Sequence, residues 1–205
     1  MNGTEQLKNE RDLLLHICCA PCAEYPLMFL REEVGLEPTG YFYNPNIHPL
    51  KEHQRRLDTL RDFAASVDLR LIVRTDFEEG RWRNFPTKSK ADHCGRCYAT
   101  RFDETARLAA ELGFTSFSST LFVSPYQDYD RMADIARSAA RRHDVLFREF
   151  DFRPGFRRGQ EMAVRDGLYR QKYCGCIYSL GESNMKTKIL RDLNLSATDI
   201  PDRGP

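Results

Sequence analysis

Leu13-Leu14-Leu15-His16-Ile17-Cys18-Cys19-Ala20-Pro21-Cys22 opens as an unbroken apolar run and ends with three thiols in five residues. A run without alternation predicts a strand buried on both faces of a parallel sheet, here Leu13–Cys18. Pro21 breaks the loop that follows. A helix is expected from about Ala23 to Glu33, with Leu27, Met28 and Leu30 inward and Gly35 as its stop. The end of a strand in such a sheet aims side chains into a crevice. Three cysteines there point to a reagent or a metal site, not to packing.

The same alternation continues downstream. Thr39–Tyr43 reads as a second strand closed by the turn-forming cluster Asn44-Pro45-Asn46. Leu50–Val67 reads as a helix, with Leu57, Leu60, Ala64 and Val67 on one stripe and the charges opposite. Leu69–Val73 is a strand, and Asp76–Lys90, which has no usable period, a loop over the site. Asp92–Gly113 is a helix with Phe102, Ala106, Ala109 and Leu112 on one face and Gly113 as its stop. Phe117–Val123 is a strand, Asp128–His143 an amphipathic helix, and Val145–Phe150 the last strand. This rhythm predicts a doubly wound α/β domain with a largely parallel sheet over residues 1–152. Residues 153–205 are expected to form a C-terminal, cysteine-bearing helical appendage that completes the site. It comprises a basic helix from about Phe156 to Gly167, the Cys174-Gly175-Cys176 segment and a polar tail from Asp192.

A chain of 205 residues suits one well-buried domain with a small addition. Its 31 basic and 30 acidic residues give a net charge of +1, so any nucleic-acid surface must be local. No apolar run is long enough to cross a bilayer, and Met1–Asp12 lacks the apolar core of a signal peptide. A cytoplasmic protein is expected. In a reducing compartment the seven cysteines, an odd number, are poor candidates for structural disulfides. All seven sit in tight clusters, which leaves metal ligation or redox catalysis.

Cys94-Gly95-Arg96-Cys97 is placed at a helix start, where this spacing puts both sulfurs on one side of the first turn. Free N–H groups and the helix dipole would lower the thiol pKa values there. Cys18 and Cys19 bring the total to four sulfurs from two places in the fold. Adjacent cysteines are an awkward pair for one tetrahedral ion because neighbouring side chains diverge; two irons of a cubane relieve that. Softness and geometry therefore favour an iron–sulfur cluster over zinc. Cys22 is left over, free to serve a second metal or to carry protons or electrons. His16, Asp12 and Asp92 lie near enough in sequence to join it. His16 reads better as a satisfied core histidine and Asp92 as an N-cap. Cys174-Gly175-Cys176 either closes a strained, easily reduced disulfide, a two-electron store, or adds two metal ligands.

A local basic surface is also visible. Arg148, Arg153, Arg157, Arg158, Arg165, Arg170 and Lys172 outnumber Glu149, Asp151, Glu161 and Asp166, with Tyr169 and Tyr173 interleaved. Arg157, Arg158, Arg170, Lys172 and Tyr173 are the candidate RNA contacts, and Arg137, Arg141 and Arg142 form a second basic face.

Cys-Cys-Ala-Pro-Cys at Cys18–Cys22, Tyr-Asn-Pro-Asn-Ile-His-Pro at Tyr43–Pro49, C-x-x-C at Cys94–Cys97 and Tyr-Cys-Gly-Cys-Ile-Tyr-Ser at Tyr173–Ser179 together resemble the epoxyqueuosine reductases of the QueH type. The likeness runs from about Leu13 to Asn184, most of the chain. It implies an adenine-nucleotide-hydrolase-like (HUP-like) α/β fold. It also implies deoxygenation of the epoxide of epoxyqueuosine in tRNA to give queuosine, the last step of that biosynthesis, without cobalamin. The same resemblance implies a 4Fe-4S cluster on Cys18, Cys19, Cys94 and Cys97, a redox-active pair at Cys174 and Cys176, and an additional mononuclear iron, with Cys22 its candidate ligand. The partners implied are tRNA carrying epoxyqueuosine in its anticodon loop and an electron donor that the residues do not identify. Two competitors remain. A sulfur-transfer tRNA-modifying enzyme needs a glycine-rich phosphate loop where this chain has Cys-Cys-Ala-Pro-Cys. A zinc-stabilised RNA-binding module would be separated by its metal content.

Overall fold

A computed structural model describes residues 12–77, 79–83 and 89–196. Its centre is strand β1 (Leu13–His16), whose three leucines are all fully buried. β1 pairs in parallel with β2 (Thr39–Tyr43) on one side and β4 (Ser116–Ser119) on the other. β3 (Leu71–Arg74) adds beside β2 and β5 (Leu146–Phe147) beside β4, giving an all-parallel sheet in the order 3-2-1-4-5. Strand order therefore reverses between β1 and β4. A crevice is expected there, beyond the carboxyl ends of those two strands. The fold is the doubly wound α/β architecture that the alternating pattern predicts.

Helices cover both faces: α1 (Ala20–Phe29), α2 (Leu50–Ser66), α4 (Lys90–Leu112) and α5 (Tyr129–His143). A short helix α3 (Glu79–Arg83) interrupts the stretch read as a loop, and its Trp82 is buried. Residues 78 and 84–88 of that stretch, the lead-in 1–11 and the tail 197–205 lie outside the described residues. After Phe152 the chain forms α6 (Phe156–Arg165), α7 (Ile177–Gly181) and α8 (Lys186–Asp192). α6 packs along α1, whereas Tyr173, Ile177, Leu180, Ile189, Leu190 and Leu193 make a small core of their own.

Several boundaries differ from the sequence reading for local reasons. The first helix starts at Ala20, three residues early, so Cys22 lies inside it. It runs on through a π-helical turn, Leu30–Val34, to Gly35 in the left-handed region (φ 73°). The strand expected over Phe117–Val123 stops at Ser119, and Thr120–Val123 turns as a 3-10 helix. Ser119 Oγ accepts the amide of Leu121 at 3.1 Å, drawing the backbone out of the ladder. The charges of α2 do not all face solvent either: Glu52, His53 and Arg56 are buried.

A cysteine-lined candidate redox site

Cys18 and Cys19 lie where β1 leaves the sheet and α1 begins. Cys19 is the N-cap of α1 in extended conformation (φ −172°, ψ 161°), and Pro21 fills an early helical position that needs no amide donor. This bend turns neighbouring thiols the same way: their sulfurs stand 3.7 Å apart. The expectation that adjacent cysteines diverge is overturned. Cys22 follows in the first turn, and the three sulfurs lie within 4.8 Å of one another. Zinc–thiolate bonds of about 2.3 Å place tetrahedral sulfurs roughly 3.8 Å apart. Sulfur spacing alone therefore raises no objection to a single ion.

The three thiols act on one another. Cys18 lies well below the usual thiol range because its sulfur accepts hydrogen bonds from Cys19 and Cys22, with Arg101 adding its field. Those bonds push Cys22 well up, and burial pushes Cys19 up. Thr120 brackets Cys18 from the β4 side, accepting its amide at 3.4 Å and donating to its sulfur at 3.7 Å. Gln171 donates to the Cys19 sulfur at 2.9 Å and to that of Cys22 at 3.6 Å. His16 is a satisfied core histidine: its nitrogens meet Ser119 Oγ at 2.8 Å and the Tyr43 carbonyl at 3.1 Å.

Cys94 and Cys97 are not in the first turn of their helix. Ser89 is the N-cap of α4, its hydroxyl accepting the Asp92 amide at 3.1 Å, so Asp92 is not the cap. The two thiols lie deeper, where the amides are already engaged and burial dominates. It pushes Cys97 up to about 11 and raises Cys94 as well, opposite to the lowering expected of a helix start. Asn46 donates to the Cys97 sulfur at 3.1 Å and accepts from Arg101 at 2.8 Å. Arg101, itself buried, is close enough to Cys97, Cys18 and Cys174 for their charges to act on it.

Cys174 is exposed and Cys176 buried, and both are free thiols. Cys176 caps α7, accepting the Ser179 amide at 3.4 Å, and burial pushes its thiol up to about 11. Gly175 between them has φ 115°, and a Cβ there would stand 2.8 Å from Arg56 Nη1. Arg56 donates to the carbonyls of Cys174 and Tyr173, both at 3.0 Å. It is also ion-paired with Glu52 at 2.8 Å, and Glu52 accepts the Tyr169 hydroxyl at 2.8 Å. The His48 amide donates to the Gly175 carbonyl at 2.6 Å, and Tyr173 donates its hydroxyl to the His48 carbonyl. Cys22 and Cys174 line one cavity of about 350 Å³, with Gln127, Arg170 and Gln171 among its walls.

Comparison with known proteins gives a consistent result. The family model described as "Epoxyqueuosine reductase QueH" matches residues 13–182. A protein of Dehalococcoides mccartyi named epoxyqueuosine reductase QueH is 36% identical over 167 residues, covering 82% of this chain and 91% of that one. Proteins of the same name from Haemophilus influenzae and Thermotoga maritima are 35% and 31% identical. Those matches cover 84% and 85% of this chain and 73% and 93% of the relatives. The chain belongs to the epoxyqueuosine reductase QueH family. It is an oxidoreductase of tRNA modification, as its motifs imply.

Within that family frame, the residues that hold the thiols were less visible than the thiols themselves. Arg56, Glu52, Arg101, Gln127 and Gln171 carry no motif of their own. Asn46 and His48 do fall in the Tyr43–Pro49 motif. Among the candidate RNA contacts, Arg157, Arg158 and Arg170 are exposed and make no ion pair to a described residue. Lys172 is paired with Asp192 at 2.5 Å, and Tyr173 is buried. Arg137, Arg142, Arg153 and Arg165 are likewise ion-paired. No helix among the described residues is long and apolar enough to cross a membrane.

Proposed function

We propose that this cytosolic chain removes the epoxide oxygen of epoxyqueuosine, carried in a tRNA anticodon loop, in the cavity between Cys22 and Cys174. One observation carries the reading: thiols from opposite ends of the chain line the same cavity. Deoxygenation takes two electrons and two protons, releases water and leaves a carbon–carbon double bond. Cys174 and Cys176 hold both electrons and both protons as a dithiol and finish as a disulfide. An external reductant, a dithiol or a one-electron carrier, then reopens it. Gln127, whose amide donates to the Cys174 sulfur at 3.7 Å, holds that thiol toward the cavity.

A 4Fe-4S cluster on Cys18, Cys19, Cys94 and Cys97 belongs to the same reading, with Cys22 as a ligand for an adjacent iron. The donor set fits in kind: soft thiols, buried at Cys18, Cys19 and Cys97 and half-buried at Cys94, beside two buried cations, Arg56 and Arg101, which would offset the charge of an anionic cluster. When bound, such a cluster supplies single electrons and, through the adjacent iron, a Lewis acid. Around it, Arg101 and Asn46 hold Cys97, while Gln171 and Thr120 hold Cys19 and Cys18. Exposed Arg157, Arg158 and Arg170 meet RNA phosphates.

The test is conversion of epoxyqueuosine to queuosine in tRNA, followed by mass spectrometry, with protein purified without oxygen and assayed for iron, sulfide and zinc. Iron near four per chain, or above, with matching sulfide is expected, together with loss of one oxygen mass from the nucleoside. One zinc, no sulfide and no conversion would overturn the reading.

A further inference from the structure

We propose that Tyr126 and Phe156 form a stacking platform for the nucleobase of epoxyqueuosine at the mouth of the cavity that ends on Cys22 and Cys174. This rests on the functional reading above. Tyr126 is 84% exposed yet held in place. It sits in a turn where its amide donates to Ser124 Oγ at 3.3 Å and the Gln127 amide donates to the Ser124 carbonyl at 3.5 Å. The next side chain, Gln127, points the other way. It donates to the Cys174 sulfur and accepts the Tyr98 hydroxyl at 2.6 Å. One turn thus serves both ends of the cavity, an aromatic ring at the mouth and an amide at the thiol.

Phe156 meets Tyr126 edge to face, with ring centroids 5.9 Å apart and planes at 86°. Phe156 opens α6, and the residue before it lies flat against α1. A Cβ at Gly155 would come within 2.1 Å of the Tyr25 ring, so only glycine allows this approach. α1 also carries Cys22. Phe156 and Cys22 therefore ride on two helices locked together, which fixes the separation between that ring and the thiol.

The chemistry of the surroundings selects the occupant. A base taken out of a loop loses its stacking neighbours and is held by aromatic faces in exchange. Tyr126, Phe156 and Arg170 line the one cavity, combining aromatic rings with a cation, the combination that binds unpaired nucleotides. The cavity's volume of about 350 Å³ lies at the lower end of small-ligand sites, enough for one base and not for a protein segment. The flat base rests on Tyr126 and its epoxide end reaches inward to the thiols.

The experiment is steady-state kinetics on an anticodon stem-loop RNA carrying epoxyqueuosine, with wild type, Y126A, Y126F and Y126W. Y126A is expected to raise KM about tenfold, with kcat within about twofold of wild type, the scale of losing one base–aromatic stack. Y126F and Y126W should stay near wild type, because the ring face and not the hydroxyl makes the contact. Indole fluorescence of Y126W should change on adding the RNA. An active wild type with unchanged KM in Y126A and no fluorescence response would overturn the platform alone. An inactive wild type would overturn the functional reading, and the platform with it.

Discussion

Two of the cysteine clusters are held in opposite ways. Cys18, Cys19 and Cys22 are placed by main chain: the end of the central strand, the bend into α1 and that helix's first turn. Cys174 and Cys176 are placed chiefly by side chains: Arg56 and Tyr173, joined by one main-chain bond from the His48 amide to Gly175, tie a glycine-centred loop to α2 and the Tyr43–Pro49 motif. The first group cannot move without opening the sheet. The second hangs beside a small core of its own and can rearrange by trading a few hydrogen bonds. A fixed cluster would suit metal ligation, and a hung pair would suit the disulfide cycle proposed for it.

The largest effects should come from breaking each cluster in turn. Cys18→Ala should remove both bound iron and turnover, the latter by about a thousandfold or more, as for a member of a catalytic unit. Cys176→Ser should lose turnover on the same scale but keep its iron. Iron content and nucleoside mass spectrometry separate the two, and equal iron loss in both would erase the contrast. Next comes Arg56→Met. Removing one partner of a buried ion pair costs about 3–5 kcal/mol, because Glu52 is left buried without its cation. The urea midpoint should fall accordingly, and adding Glu52→Gln should restore part of it. Cys174 and Cys176 should react faster with a thiol reagent in Arg56→Met while the Cys18 group does not. Unchanged labelling rates would show that Arg56 does not hold the loop.

The same division explains what was legible in the sequence. The sheet was readable because Leu13–Leu15 and the alternating helices announce a buried parallel core in local terms, and the cysteines announce themselves. The N-terminus of α4 was misplaced because Ser89 and Asp92 are both good capping residues. Only the structure shows that the serine hydroxyl takes the amide. That error put Cys94 and Cys97 at the first turn of the helix and suggested a helix-dipole effect where burial dominates. Arg56 was assigned to the solvent face of α2 because helical periodicity reports only the helix. What buries it is a segment 117 residues away, and no local pattern encodes that contact. A Glu52–Arg56 pair at i, i+4 was the available signal, and such pairs are usually surface features.

A smaller effect tests the fixed side of the contrast. The His16 ring is lowered from 6.5 to about 4, chiefly by burial and then by Arg101. His53 is lowered to about 4, also by burial first. A base with a lowered folded pKa binds a proton on unfolding between those two values. Stability should therefore fall as pH drops from 6.5 to about 4 and level off below, with full stability present above 6.5. His16 alone accounts for about 3 kcal/mol at most. Urea midpoints between neutral pH and pH 4 check this, and a flat profile would mean that His16 is not held neutral at the end of β1.

The smallest effect belongs to the surface. Arg157, Arg158 and Arg170 were read from sequence together with neighbours that the structure shows to be ion-paired, and that pairing separates them. An arginine already matched by a carboxylate has little charge to offer a phosphate, because binding RNA would first cost it the existing partner. Arg153, paired with Asp151 at 2.7 Å, is the internal control. Substituting Arg157, Arg158 or Arg170 by Ala should each weaken tRNA binding severalfold and lower the slope of log Kd against log salt by about 0.7–0.9. Arg153→Ala should leave that slope within error. Equal slopes for all four would mean that net charge alone, not the exposed arginines without an ion pair to a described residue, draws the RNA to this face.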